Sequence, residues 1–356
     1  MQKTQHLDYT EVTPSAAIST QAHGWRAKCL QRLVRLEMPV PKTVALPAQT
    51  VRAIAAGHTV DARAILAHFG DMPLISVRPS PENPDWGGPG TVLNVGMNAE
   101  RHADLVQRHG AEAADALYLR FVQSYAIHVA RLDPDMFDDI KPGPDALRES
   151  LRQYEREMDE AFPEDPAQQL GEVLRSMARA WEGTSARLLR QAKGAPVEAA
   201  LGLVVQCMAQ GIGQGLSGSG VIQFVDPVTG LAQVTGRYLG NSQGRDALKK
   251  TEAMYLTRDP RGPSLEDLSP EIFAELARHG AACRGRLREE MQIELRRIQR
   301  GGRADRDMGG GQGGGGQSRP LRLRPGRATA RWYRHDRGIR GGPLPAAHHG
   351  DRPAFR

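Results

Sequence analysis

Arg78 ends the apolar run Pro73-Leu74-Ile75-Ser76-Val77 and opens onto a proline- and glycine-rich stretch, residues 79–90. A guanidinium at a strand end facing such a loop offers a fork of donors suited to phosphate or carboxylate. Taken alone, the same arginine reads first as an ordinary strand-end residue in a surface ion pair. A second glycine-bearing stretch, GIGQGLSGSGV at residues 211–221, lies between two apolar runs. Backbone N–H groups in loops of this kind can cradle phosphate. It contains no Gly-Lys-Ser/Thr, which excludes a Walker A loop, and it leads into a strand, which excludes a dinucleotide fingerprint. By itself it also reads as a long hairpin turn. The three cysteines, Cys29, Cys207 and Cys283, form no CxxC pair, so neither a zinc site nor a disulfide framework is expected.

The elements that must position these residues follow from periodicity. Residues 1–23 are polar and unpatterned and read as a flexible lead-in, and residues 25–36 as an amphipathic helix stopped by Pro39 and Pro41. Strands are expected at 43–46, 73–78 and 91–96. The middle is helical: Leu117, Phe121, Tyr125 and Val129 recur at helical spacing, as do Leu147, Leu151, Tyr154 and Met158, and then Leu170, Leu174, Met177 and Trp181. Asp165-Pro166 supplies a capping carboxylate and a first-turn proline. After Pro196 the period changes to strands at 201–208 and 221–225, with a turn at 226–230, and residues 265–299 return to helix. Helices beside short strands imply an α+β architecture with two lobes.

With 40% hydrophobic residues the chain can bury a substantial core. No run of about 18 apolar residues is present, so no membrane span is expected, and the N-terminal segment lacks an apolar signal core, which makes the cytoplasm the default location. The net charge of +6 is unevenly placed. Residues 300–356 hold thirteen Arg and four Asp with neither Lys nor Glu, a balance of +9, which leaves −3 for the rest. This arginine- and glycine-rich tail supports three readings: a disordered tail, an RG-type nucleic-acid tail, or a shifted reading frame in GC-rich DNA. Aromatic interleaving is sparse, so nucleic acid is not an expected partner apart from this segment.

In combination the motifs are more specific. GWRAKCLQRLVRLEMPVP, FGDMPLISVR, GPGTVLNVGMN, RFVQSY, FPEDPAQQL, VVQCM, SGSGV, DPVTG and GRYLGNSQG, in this order over residues 24–295, resemble the N-terminal ATP-grasp region of pyruvate phosphate dikinase. The resemblance implies a two-lobed ATP-grasp fold with an N-terminal lobe at 24–110, a helical segment at 111–195 and an incomplete C-terminal lobe at 196–299. It implies ATP and Mg²⁺ as ligands, with phosphoryl transfer driven by positioning and charge neutralisation.

Residue by residue, Arg78 matches the family's phosphate-contacting arginine and is the catalytic candidate. Arg26 stands where the family's GGKG lysine binds phosphate, in Gly24-Trp25-Arg26-Ala27. Gln206 stands on the strand flanking adenine, Ser217, Gly218, Ser219 and Gly220 form the glycine loop, and Gln243 belongs to the NSQG motif. Gln292 and Glu294 replace an acidic metal-holding pair, so one carboxylate has become an amide. Arg237 and Arg245 reverse charges that are acidic in the family. The chain contains no histidine in a Thr-Ser-His context and no pyruvate-binding barrel, so the resemblance implies a separate partner protein carrying the phosphohistidine and pyruvate domains. The alternative is a catalytically inactive ATP-grasp remnant or a nucleotide-sensing interaction protein.

Overall fold

The computed structural model describes residues 7–71, 73–209, 211–212, 217–225, 231–243, 252–287, 292–297 and 328–333. The first part of the chain builds one antiparallel sheet. Its strands are β1 (Thr10–Glu11), β2 (Thr43–Leu46), β3 (Ile75–Pro81), β4 (Val92–Val95) and β5 (Leu201–Cys207), in the order β1-β2-β5-β3-β4. The second sheet is also antiparallel. It joins β6 (Gly218–Val225), β7 (Ala232–Gly240), β8 (Met254–Tyr255), β9 (Gln292–Arg297) and β10 (Ala328–Tyr333) in the order β10-β9-β6-β7-β8.

Six helices contribute to one core with the first sheet: α2 (Ala48–Ala55), α3 (Ala62–Ala67), α4 (Ala99–His109), α5 (Ala111–His128), α6 (Ala146–Met158) and α7 (Pro166–Glu182), while α8 (Thr184–Ala192) packs against α7. Leu117, Phe121 and Tyr125 of α5 and Leu170, Leu174 and Met177 of α7 share one core with Val44, Ile75, Val77 and Val205 of the strands. The expected spacings therefore form the buried stripes, and Asp165 caps α7 as its sequence predicts, its carboxylate accepting from the Ala167 N–H at 2.9 Å. Phe162 packs edge-on between Phe121, Tyr125 and Tyr154, with ring centroids 5.1–5.5 Å apart. Two further helices, α9 (Leu265–Leu268) and α10 (Pro270–Leu287), accompany the second sheet.

Helix α1 (Thr20–Arg35) lies between the sheets. Ala27 and Leu30 pack with Ala45 and Val204 of the first sheet. Cys29 and Leu33 pack with Ile222, Phe224, Tyr238 and Leu276 of the second lobe. Burying one leucine on each side contributes roughly 1.5–3 kcal/mol per residue, so the helix is held from both directions. Ser19 caps its start, and Gly24 breaks the helical dihedrals inside it at φ 80° and ψ 170°. A Cβ at Gly24 would lie 1.6 Å from the Ser80 carbonyl oxygen. Gly24 thus supplies both the conformation and the close approach.

Several expectations are revised. The segment before residue 24 is not a loose lead-in: Thr10–Glu11 pairs with β2, Val12 and Ile18 are buried, and α1 begins at Thr20. The helical segment 111–195 shares its core with the first sheet rather than standing apart. Strand β5, expected in the C-terminal lobe, lies at the centre of the first sheet between β2 and β3. The helix expected through 299 ends at Leu287, and Gln292–Arg297 is a strand whose neighbours β6 and β10 offer ladder bonds on both sides. In the arginine-rich tail, Ala328–Tyr333 forms β10, where Thr, Trp and Tyr favour extended chain. The turn at 226–230 lies outside the described residues. A mixed α+β class is what the sequence implied.

Gly24→Ala is expected to lower stability by at least about 2 kcal/mol, because a side chain there meets both the backbone of β3 and an unfavourable φ. The midpoint of denaturant unfolding checks this, and an unchanged midpoint would show that α1 is not fixed against β3.

Candidate functional site

Side chains alternate along β3, so Ile75 and Val77 enter the helical core while Ser76, Arg78 and Ser80 face α1. The Ser80 hydroxyl accepts from the Ala27 N–H at 3.2 Å and donates to the His23 carbonyl at 2.7 Å, which pins the start of α1 to the end of β3. Arg26 reaches the same strand end, its Nε donating to the Pro79 carbonyl at 2.9 Å. Arg78 sits between these contacts at only 3% exposure, opposite Val204 of β5. The two arginines singled out by the sequence therefore meet at one strand end, Arg78 within β3 and Arg26 bonded from α1 to the adjoining Pro79 carbonyl. Lys28 is turned elsewhere, donating to the Ile18 carbonyl at 2.8 Å and to Gln31 Oε1 at 3.0 Å.

Gln206 occupies the next row of the same sheet face, where Thr43, Gln206 and Ser76 stand in register across three strands. Its Nε2 donates to Thr43 Oγ1 at 2.8 Å, and Thr43 in turn donates to the Pro41 carbonyl at 2.7 Å. Gln206 is 1% exposed, so the amide belongs to a buried polar row beside Arg78 and not to an open lip. Thr43 had no signal in the sequence, since its role depends on strand register alone.

The SGSG stretch is not an open phosphate loop. Gly218, Ser219 and Gly220 pair with β7 on one side and β9 on the other. A Cβ on Gly218 would meet the Leu239 carbonyl at 2.4 Å, and one on Gly220 the Arg237 carbonyl at 2.5 Å, so both glycines let β6 and β7 approach. Ser217 and Ser219 are buried. Ser219 Oγ shares a hydrogen bond of 2.7 Å with Ser242 Oγ, which also donates to the Leu239 carbonyl. Residues 213–216 lie outside the described residues.

Gln243 is likewise engaged by protein. Its side-chain amide makes a reciprocal pair with that of Asn94, 3.2 Å in each direction, and Asn94 Nδ2 also donates to the Leu117 carbonyl at 3.1 Å. Asn94 is fully buried at φ 62°, and its N–H donates to Met208 Sδ at 3.1 Å. The pair joins β4 to the segment following β7. Asn94 lies inside the GPGTVLNVGMN motif, and its left-handed backbone has no local sequence cue beyond asparagine's tolerance for it. Arg237 lies over the Tyr255 ring at 4.3 Å, a cation–π contact. Arg245 lies outside the described residues.

Gln292 and Glu294 stand in β9 opposite Gln223 and Val221 of β6. Among the described residues no group of three or more His, Cys, Asp or Glu is arranged to hold a metal ion. One carboxylate and one amide are a thin donor set for Mg²⁺, which would have to draw most of its oxygens from a ligand and from water. Cys29 and Cys283 are buried thiols, and burial alone pushes the Cys283 thiol up to about 11.

The molecule is thus an α+β fold in which two antiparallel sheets clasp one helix, with a buried arginine-bearing strand end at the clasp. No protein-family model matches the chain. Curated relatives do: it is 29% identical over 266 residues to pyruvate, phosphate dikinase of Rhizobium meliloti (strain 1021), covering 65% of this chain and 29% of that protein. It is 28% identical over 241 residues to pyruvate, phosphate dikinase 2 of Oryza sativa subsp. japonica, covering 62% of this chain and 26% of the relative. It is 27% identical over 241 residues to the chloroplastic enzyme of Flaveria pringlei, covering 62% and 25%. The chain carries a divergent, partial region similar to pyruvate, phosphate dikinase, and spans little more than a quarter of the length of these relatives.

Two outcomes follow from this geometry. Gln243→Ala leaves the buried Asn94 amide short of a partner and is expected to cost about 1–3 kcal/mol in denaturant unfolding, with a loss in the double variant smaller than the sum of the single losses. Burial lowers the His23 pKa below its ordinary 6.5, so the unfolded chain takes up that proton at a higher pH than the folded one. Stability is therefore full above about pH 6.5 and falls as the pH drops toward the folded pKa. His128 and His109, also lowered by burial, act in the same direction. His23→Gln should flatten part of this acid-side loss, and an identical stability–pH curve would remove His23 from the account.

Proposed function

We propose that this chain binds ATP by its phosphates, as a nucleotide-binding module of the pyruvate phosphate dikinase type. The observation that carries the reading is the convergence of Arg78 and Arg26 on one end of β3, beside the polar row of Thr43, Gln206 and Ser76, in a region similar to that family. Guanidiniums offer bidentate donors to phosphoryl oxygens, and the burial of Arg78 would strengthen its contact by excluding water. Arg26 supplies the positive charge that a lysine gives in the family, with a planar fork in place of a compact ammonium.

The proposed role is positioning and charge neutralisation. Phosphoryl transfer demands little more of a protein at this stage than a held triphosphate, a metal and an aligned acceptor. Glu294, with Gln292, would be the chain's contribution to Mg²⁺. The acceptor histidine and the site for pyruvate or phosphoenolpyruvate would come from a partner protein. The alternative, a non-catalytic nucleotide sensor or interaction protein, takes its support from the protein partners of Ser219 and Gln243 and from the cation–π contact of Arg237.

Calorimetric titration of the full chain with MgATP tests the proposal. Saturable binding is expected, weakened about tenfold or more in both Arg78→Ala and Arg26→Ala, the loss appropriate to one charge-assisted contact. Each variant is first checked for a retained unfolding transition, since Arg78 is buried. A folded protein that takes up no MgATP would sink the nucleotide reading.

A further inference from the structure

The helical layer holds a cavity of about 440 Å³ that the nucleotide reading does not use. It opens at the C-terminal ends of α5 and α6 and along the side of α7. Its wall is apolar, formed by Val129, Ala130, Met158 and the rings of Tyr125 and Tyr154. Three arginines line it as well: Arg131 just beyond α5, and Arg175 and Arg179 one turn apart on α7. Against them stands one lining carboxylate, Glu172.

That carboxylate is already committed. The Tyr125 hydroxyl donates to Glu172 Oε2, and Gln168 Nε2 donates to Glu172 Oε1 at 3.0 Å. Arg131 spends one Nη2 bond on the Ser176 carbonyl at 3.3 Å. Arg175 and Arg179 make no ion pair or hydrogen bond among the described residues. Arg175 is half-buried and Arg179 is exposed, so one guanidinium stands within the wall and the other at the rim. The carbonyl ends of α5 and α6 draw part of the positive excess, about half a charge each, and Glu160 lies beyond the end of α6. A positive balance remains over an apolar wall of suitable size for a small ligand. Both phenols stay protonated at neutral pH, the Tyr154 phenol pushed up to about 12 by burial and the nearby Glu172 and Glu160, so neither repels an anion.

We propose that this cavity between α5, α6 and α7 is a second binding site, for a small organic anion whose carboxylate or phosphate meets Arg175 and Arg179 while its apolar body lies against Met158, Val129 and Tyr154. The site is independent of Arg78 and of the sheet face beneath α1. Because it joins three helices that cover the first sheet, its occupation ties α7 to α5 and α6 through a ligand as well as through side chains.

The probes are phenyl phosphate, phenylacetate and, as the uncharged control, benzyl alcohol, titrated into the full chain by calorimetry. Phenyl phosphate or phenylacetate is expected to saturate, with affinity reduced about tenfold or more in the R175Q/R179Q variant and unchanged in Arg187→Gln, whose arginine sits on α8 paired with Glu182. Tighter binding of phenyl phosphate identifies a phosphomonoester site, and tighter binding of phenylacetate a carboxylate site. The proposal is overturned if neither anion saturates, if R175Q/R179Q binds as well as the unaltered chain, or if benzyl alcohol binds equally well. The R175Q/R179Q variant must show the same unfolding midpoint without ligand, which the absence of a hydrogen bond or ion pair at either arginine among the described residues favours. A loss of binding accompanied by a lowered midpoint is resolved by Met158→Trp, which fills the cavity without touching its charge and must also abolish binding.

Discussion

The fold depends on one helix being acceptable to two sheets at once. A helix between layers cannot have a polar face on either side, and α1 meets this by offering Ala27 and Leu30 in one direction and Cys29 and Leu33 in the other. Its start is fixed by a close approach, where Gly24 passes against the Ser80 carbonyl. Ser80 is two residues from Arg78, and Pro79, which accepts from Arg26, lies between them. The packing constraint and the arginine-bearing strand end are therefore one piece of geometry.

The buried amides and hydroxyls of the first sheet follow the rule that buried donors and acceptors are paired. Gln206 with Thr43, Ser80 with His23 and Ala27, and Asn94 with Gln243 are all satisfied within the protein. Such groups make a firm scaffold, and a ligand displacing one of these bonds would have to replace it. The arginines differ in kind, because a guanidinium holds five donors and can bond a backbone carbonyl while still presenting an edge to an anion.

What the sequence made legible was local. Asp165-Pro166 announces the start of α7 because a cap and a first-turn proline act within one turn of chain. The apolar run at β5 declares a strand, but nothing in Leu201–Cys207 says that its neighbours are 43–46 and 75–81, since pairing is set by residues far away. Gln-Ile-Glu-Leu-Arg-Arg is short and charged enough to extend a helix by composition, and it becomes β9 because β6 and β10 supply ladder partners. For SGSG, the cue was present and pointed to packing: Gly218 and Gly220 are two residues apart, the spacing of one strand face, where β6 and β7 come together. Of the candidate site, Arg78 and Arg26 were readable from residue type and position, whereas Thr43 and Asn94 were not, because register and a left-handed backbone leave almost no local trace.

The two-sided burial of α1 also bears on the order in which the chain is made. The first sheet has all its strands once residue 207 has been synthesised, but the residues that cover Cys29 and Leu33 on the other side begin at Ile222 and extend to Cys283. From Cys207, which completes the first sheet, to Cys283, the last of the covering residues, is 76 residues. At translation rates of roughly 5–20 residues per second, a nascent chain leaves the apolar stripe of α1 incompletely covered for about 4–15 s. During that interval the first lobe is a folded body with an open hydrophobic seam, a natural substrate for chaperones and a natural surface for mispairing with another nascent copy.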